Sequence, residues 1–317
     1  AIKNVGEKVA EGIKKEYDNN GEYKTFDDFI FRTKQYGINK KAIEALVYSG
    51  ALDGVPGNRK EKIESITKAL DYAAKRLKED EIQQMNLFGE AKSTVTGFSM
   101  AKAEDYTVDE KLEKEKEFLG FYFSAHPLDK YKELLEAYKS DTIEDIKEEG
   151  EERTVKVFGI LRDIKKIVTK KSGEIMAVFE LEDYFGRISG IIFPKDFSRN
   201  IGCFIEGKAV YLSGTIQTDY FNGTESRKIA VRDVVDIDEL WKQRGYKVYI
   251  LVKDDDRGKV PKLKRIIEFY KGNTPLNLAV KTDTEKKVVK TNSLVSPTKE
   301  FIKDVVDLMG KGSIIIK

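Results

Sequence analysis

At residue 154 the hydrophobic period of this chain changes, and that change fixes where helices stop and sheet begins. Upstream, apolar residues recur at helical spacing: Ile2, Val5, Val9 and Ile13, then Ala42, Ile43, Leu46 and Val47, then Ile63, Ile66, Ala69 and Leu70. Glycine and asparagine interrupt them at 19–21, at Gly50 and at 54–58. Downstream, β-branched runs take over. They predict strands over 154–167, 175–182, 187–193, 208–217 and 226–235, with a short helix or turn over 194–200 after the third. Five strands with a helical break after the third is the order of a five-stranded OB-fold β-barrel.

Residues 245–317 predict strand 247–252, helix 260–270, strands 276–281 and 286–291, helix 298–309 and strand 313–316. That βαββαβ order points to a small ferredoxin-like domain. The chain therefore reads as multidomain α+β. A helical domain covers 1–90, a helical connector 91–153, the barrel 154–240 and the ferredoxin-like domain 245–317.

Composition narrows the chemistry. Charged residues make up 35% of the 317 positions, against roughly 25% in ordinary soluble domains, which fits several small domains with large wet surfaces. One cysteine, Cys203, rules out an intramolecular disulfide framework and fits a reducing, cytoplasmic setting. One histidine, His126, argues against a histidine metal site or a Ser-His triad; just before Pro127 it is expected to pack or cap a turn. No run of about 18 apolar residues exists, so no membrane partner is expected. The opening Ala1, Ile2, Lys3, Asn4 has neither an initiator methionine nor a signal segment, and reads as the interior of a longer protein. Charge is segregated: residues 101–153 hold 9 Lys/Arg against 17 Asp/Glu, and residues 243–317 hold 17 against 9. A basic module of that kind can meet nucleic acid or an acidic partner.

Three groups of residues carry possible chemistry. The first is Gln84, Met85, Asn86, Leu87 and Phe88, between a charged helix and the Ser/Thr/Gly-rich 93–99 stretch. A Leu-Phe pair with no amphipathic helix to belong to suits a short docking peptide, the two hydrophobes as anchors and the Gln amide fixing register; the other reading is a loop hydrophobe folded back on its own domain. The second is a hairpin at Val5-Gly6 flanked by Lys3 and Lys8, with a second hairpin-like stretch from Gly50 to Asn58, Arg59 and Lys60. Amides turned outward at the start of a helix can hold a DNA phosphate without reading sequence, although a helix-ending glycine is the commoner use. The third lies in the barrel. Arg162, Lys165, Lys166, Lys170 and Lys171 would form a basic groove, with Tyr184, Tyr220 and Phe221 at turns as stacking faces for single strands. Phe179 and Phe193 alternate with polar residues and are expected in the core. The Asp254–Asp256 run reads as a solvated turn, and neither a phosphate-gripping Gly-rich loop nor a carboxylate pair for two-metal catalysis is found.

Taken in order, these stretches resemble one family. The hairpin, then Asn39 to Leu46 with Gly50, Asp53, Asn58 and Arg59, then Gln84 to Gly89, then Glu115 to Tyr122 with Ser124, His126, Pro127 and Leu128, then Thr169 to Gly173 and Met176 to Phe179 resemble the C-terminal third of the bacterial DNA polymerase III alpha subunit. The resemblance runs from residue 1 to about 237; residues 245–317 match loosely. It implies that the helical part is the distal fingers with a helix-hairpin-helix. The hairpins would grip duplex DNA, residues 84–88 would dock the sliding clamp, and the barrel would guide the single-stranded template. The parent would be a DNA-directed DNA polymerase using Mg. The family's polymerase carboxylates have no counterpart here, so this region implies no catalytic residue, metal site or cofactor of its own. In the family, the far C-terminus can bind a clamp-loader subunit, which residues 245–317 could do. Two other readings stand beside this one: a non-enzymatic OB-fold module binding single-stranded DNA or RNA in another assembly, and an anticodon-binding barrel, against which the upstream hairpin argues.

Overall fold

The computed structural model describes residues 1–85, 98–148, 153–170, 172–221, 224–281 and 286–317; for 80–85, 219–221, 224–226 and 286 it describes the backbone alone. It divides into two compact units, Ala1–Pro127 and Leu128–Lys317.

Side-chain caps and glycines set the helix ends of the first unit. Helix α1 (Glu7–Asn20) ends at Gly21, whose φ is 75°. α2 (Phe26–Thr33) is capped by Thr25, which accepts from the Asp28 amide at 3.2 Å. α3 (Lys40–Tyr48) is capped in the same way by Asn39, and α4 (Arg59–Met85) by a reciprocal Asn58/Glu61 pair. α5 (Val108–Leu119) starts with a Thr107/Glu110 capping box and stops at Gly120. Each such cap is worth about 1 kcal/mol. Phe26, Phe29, Ile30, Ile43 and Leu46 pack on Ile66, Ala69 and Ala73 of α4, where two alanines let the helices approach. Residues of the expected 91–153 connector therefore part company: those up to Pro127 belong to the helical unit and those from Leu128 to the second.

The second unit opens with α6 (Lys132–Tyr138) and α7 (Ile143–Glu148). The barrel follows: β1 (Thr154–Val168), β2 (Ile175–Glu182), β3 (Arg187–Ile192), α8 (Pro194–Asn200), β4 (Ala209–Phe221) and β5 (Thr224–Asp236). It closes in the order β1-β2-β3-β5-β4, with β3 and β5 parallel and the other pairs antiparallel. Val157, Leu161, Phe179, Leu181, Ile188, Ile192, Leu212 and Ile229 fill it, and Phe197 and Phe204 pack against them. Gly190 lies opposite Phe179 in register, and a Cβ there would run into that ring. Phe193, expected in the core, is instead 46% exposed: it precedes Pro194, where the strand turns into α8.

The rest is β6 (Val248–Lys253), α9 (Val260–Phe269), β7 (Lys271–Lys281), β8 (Lys286–Val295), α10 (Lys299–Met309) and β9 (Ile314–Ile316). The element order matches expectation, but the sheet does not. Its order is β8-β7-β6-β9, and β6 and β7 are adjacent and parallel. A ferredoxin-like sheet would hold another strand between those two; here β6-α9-β7 is an unsplit βαβ unit extended by the β7-β8 hairpin.

This sheet also shares its core with the barrel. Phe158, Ile160 and Tyr211 face out of the barrel into one cluster with α6, Val248, Ile250, Phe301 and Ile314. Strand β1 is consequently buried without a break from Val157 to Arg162, covered on both faces.

Candidate nucleic-acid interface

One outer face of the barrel is occupied by α6 and the C-terminal sheet, and the wall of β2, β3 and β5 is open. Across β2, β3 and β5 lies an open cavity of about 460 Å³, lined by Lys147, Glu180, Arg187, Ile188, Ser189 and Arg227. Arg187 donates to Asp163 at 3.1 Å and Glu182 at 3.3 Å and keeps 38% of its side chain exposed. Arg227 donates to the carbonyls of Ile146 (3.2 Å) and Lys147 (2.6 Å), which ties down the end of α7 at the rim.

Aromatic faces are held beside this wall by the β2-β3 turn. The buried Asp183 accepts from the amides of Phe185 (2.8 Å) and Gly186 (3.1 Å) and, with its other oxygen, from the Ile143 amide (2.8 Å). One carboxylate thus sets the turn and starts α7. The turn presents Phe185, 56% exposed, and Tyr184, whose hydroxyl donates to Asp129 at 3.0 Å. Burial, then the Asp129 carboxylate, raises the Tyr184 pKa, so it stays a neutral phenol at any physiological pH.

The basic residues expected in the barrel fall into separate places. Lys165 and Lys166 are exposed on β1, past a bulge at which Asp163 takes a φ of 52° and Glu206 accepts from the Asp163 and Ile164 amides. Lys170 is exposed in the hairpin turn. Lys171 lies outside the described residues, as do the side chains of Tyr220 and Phe221. Arg162 is a correction. It is buried, and its Nε donates to the equally buried Glu182 at 3.1 Å, so it braces β1 against β2 inside the protein and does not line a groove. Arg187, Arg227 and Lys147 went unrecognised in the sequence; Arg187 and Ser189 carry the one available signal, polar positions alternating with buried Ile188 and Ile192 along β3.

In the helical unit, the first hairpin is formed over 2–6. Asn4 takes a left-handed φ of 68°, the Val5 amide donates to the Ile2 carbonyl at 3.2 Å, and Gly6 precedes α1 with no side chain capping that end. Lys3 and Lys8 are exposed on either side, while Val5 packs against the core and serves as an anchor. Amides that start a helix uncapped attract an anion.

The second hairpin departs from expectation at two residues. Asn58 spends its side chain capping α4 and donating to the Ala103 carbonyl at 2.8 Å. The Arg59 guanidinium is 6% exposed, clamped between Asp53 (2.6 Å) and Glu115 (2.9 Å). A guanidinium so held is unavailable to phosphate. Gly50, with φ 81°, leaves room for it: a Cβ there would meet the Arg59 side chain. The Lys60 ammonium stands 5.9 Å from the Tyr106 ring, half-exposed. Two further residues tie the stretch together. Lys62, buried, donates to the Leu52 carbonyl at 2.9 Å. Glu115, fully buried, accepts from Arg59, the amides of Phe123 and Ser124 and the Ser124 hydroxyl. Burial pushes the Glu115 carboxyl up; the Ser124 amide, Arg59 and the remaining donors outweigh it and hold the pKa below the usual range. The ring of His126 meets Tyr122 edge-on at 5.3 Å.

Of the docking segment, Gln84 and Met85 end α4 in the backbone, and Asn86, Leu87 and Phe88 lie outside the described residues. Among the described residues no group of three or more His, Cys, Asp or Glu is placed to hold a metal, and no helix is long and apolar enough to cross a membrane. In the acidic turn, Asp254 pairs with Arg257 and Asp256 with Lys259.

Comparison with known proteins agrees with this geometry. Residues 1–62 match the family model of a helix-hairpin-helix motif, and residues 155–237 that of an OB-fold nucleic acid binding domain. Curated relatives are named DNA polymerase III subunit alpha. That of Aquifex aeolicus is 33% identical over 89% of this chain and 23% of its own length. That of Borreliella burgdorferi is 32% identical over 78% of this chain and 22% of its own. That of Bacillus subtilis is 26% identical over 100% of this chain and 28% of its own. The chain thus spans about a quarter of the length of the relatives it matches.

Proposed function

Since the chain is homologous to the C-terminal region of the bacterial DNA polymerase III alpha subunit, we propose that it is the DNA- and clamp-holding region of a replicative polymerase. Its part in the parent's template-directed synthesis is processivity: keeping DNA and enzyme together between nucleotide additions. The observation that carries this reading is the barrel wall of β2, β3 and β5, where Arg187, Lys147 and Arg227 line an open cavity with Glu180 and the adjoining β2-β3 turn leaves Phe185 exposed. Cations for the backbone next to an aromatic face for a base is the chemistry of sequence-tolerant single-strand binding. The uncapped start of α1 between Lys3 and Lys8 supports a duplex-backbone contact, in which Lys60 and the Gly50 turn take part and Asn58 and Arg59 act from inside. Gln84, Met85, Asn86, Leu87 and Phe88 are assigned to the sliding clamp on the pattern of their side chains. The unit that holds β6 to β9 would meet the clamp loader.

Calorimetry of the chain against the sliding clamp of the same organism tests the central claim, run beside a Leu87→Ala/Phe88→Ala variant. Binding that disappears in the variant at an unchanged melting temperature supports it. No binding by the parent chain favours the other reading, an OB-fold module for single-stranded DNA or RNA in another assembly.

A further inference from the structure

The four-stranded C-terminal sheet has two faces, and the protein uses one. Val248, Ile250, Leu276, Leu278, Ile314 and Ile316 point into the shared core. The residues between them point the other way. The strand register puts Tyr249, Asn277 and Ile315 side by side across three strands, and Leu251, Ala279 and Val288 side by side one step along. None of the apolar members of this row packs into a core cluster, and Val288 is 53% exposed.

The rim of that face is cationic. Lys253 and Lys281 are register partners at one end, Lys290 stands on the β8 edge opposite Asn277, and Lys247 lies at the other end; all four are exposed. No strand position on this face is a carboxylate. In the acidic turn next to Lys253, Asp254 pairs with Arg257 and Asp256 with Lys259 and the Lys253 amide, while Asp255 is exposed. A sheet face with a part-exposed tyrosine, Tyr249, beside the buried Asn277 and with lysines around it complements a single strand, with a base on the ring and phosphates on the rim.

We propose that this open sheet face is a second single-strand binding platform, distinct from the barrel wall, with Tyr249 as its stacking residue and Lys253, Lys281 and Lys290 as its phosphate contacts. It requires nothing of the barrel site and would hold if that site failed.

The test uses the whole chain and a fluorescein-labelled oligothymidylate followed by anisotropy across a salt series. A Lys253→Glu/Lys281→Glu/Lys290→Glu variant, altered only at exposed positions, is expected to bind at least tenfold more weakly at low salt. Its log-log salt slope should be shallower by about 2, from about 0.7 per lost contact. A Phe185→Ser variant, altered at an exposed position beside the barrel wall, reads the barrel separately. Photocrosslinking with a 4-thiothymine oligonucleotide should label the peptide carrying Tyr249 in both the parent chain and the barrel variant. The proposal is overturned by a folded sheet variant with the parent's affinity and slope, or by crosslinks confined to barrel peptides. It is equally overturned if the sheet variant keeps the oligonucleotide and loses a clamp-loader protein instead.

Discussion

Arg59 and Glu115, 56 positions apart in the chain, meet at 2.9 Å with both side chains almost wholly out of water. The pair joins the start of α4 to the middle of α5, and through Glu115 it also fixes the amides of Phe123 and Ser124. Removing one partner leaves a buried charge uncompensated. Glu115→Gln or Arg59→Met is expected to cost about 3 kcal/mol of stability in the helical unit, read as a lower urea midpoint. The double variant Arg59→Met/Glu115→Leu should recover part of that loss.

Acid should reach the same pair. Its neighbours hold the Glu115 pKa below the 4.5 expected of the unfolded chain. The stabilisation is therefore complete above about pH 4.5 and is lost as pH falls through the lower, folded value. Urea midpoints measured from pH 7 to pH 3 should fall in the acid range, and the Glu115→Gln chain should show a shallower fall.

Arg162 and Lys165 are expected to behave in opposite ways. Arg162→Met deprives the buried Glu182 of one of two guanidinium partners, leaving Arg187 at 3.3 Å; it should destabilise the barrel by about 2 kcal/mol. Lys165→Glu/Lys166→Glu should leave the melting temperature unchanged while weakening oligothymidylate binding and flattening its salt slope by about 1.4. Equal melting temperatures for the two variants would sink the assignment of Arg162 to the interior.

Phe185 is exposed on a turn that Asp183 holds from below. Phe185→Ser should lower single-strand affinity by about 1–3 kcal/mol, the worth of one stacked base, with no change in folding. Asp183→Ala, which frees the turn and the start of α7 together, should lower both affinity and stability.

Gly50 sits at φ 81° with the Arg59 guanidinium where a Cβ would be. Gly50→Ala should therefore cost about 1–3 kcal/mol from backbone strain alone, with the displaced arginine adding to it. Thermal melts of Gly50→Ala and of Gly54→Ala, where a Cβ meets open space, make the comparison.

Period and punctuation carried most of the architecture into the sequence. The five barrel strands, α8 starting at Pro194 and the helix ends at Gly21 and Gly120 follow from alternation, capping and glycine chemistry. Adjacency did not follow. The βαββαβ element order is compatible with more than one strand order, and only the direct β6-β7 pairing excludes the split arrangement. Arginines misled for one physical reason: Arg59 and Arg162 sit where a basic patch would, but each has a carboxylate partner distant in sequence, Glu115 and Glu182. Phe193 misled because alternation continues up to the last residue before Pro194, whereas the strand itself stops at Ile192.

The outward-facing Phe158 and Ile160 of β1 have a consequence for how the chain is made. These side chains share one cluster with α6, made before the barrel, and with α10 and β9, which a ribosome adds last in this stretch. During synthesis the five barrel strands emerge complete with only α6, whose Tyr138 ring meets Phe158, to set against that oily flank. The part of that flank beyond α6 stays uncovered until Phe301 and Ile314 arrive. The barrel and the C-terminal sheet should then mature together in a single late step, and a nascent chain stalled near residue 240 should engage a chaperone.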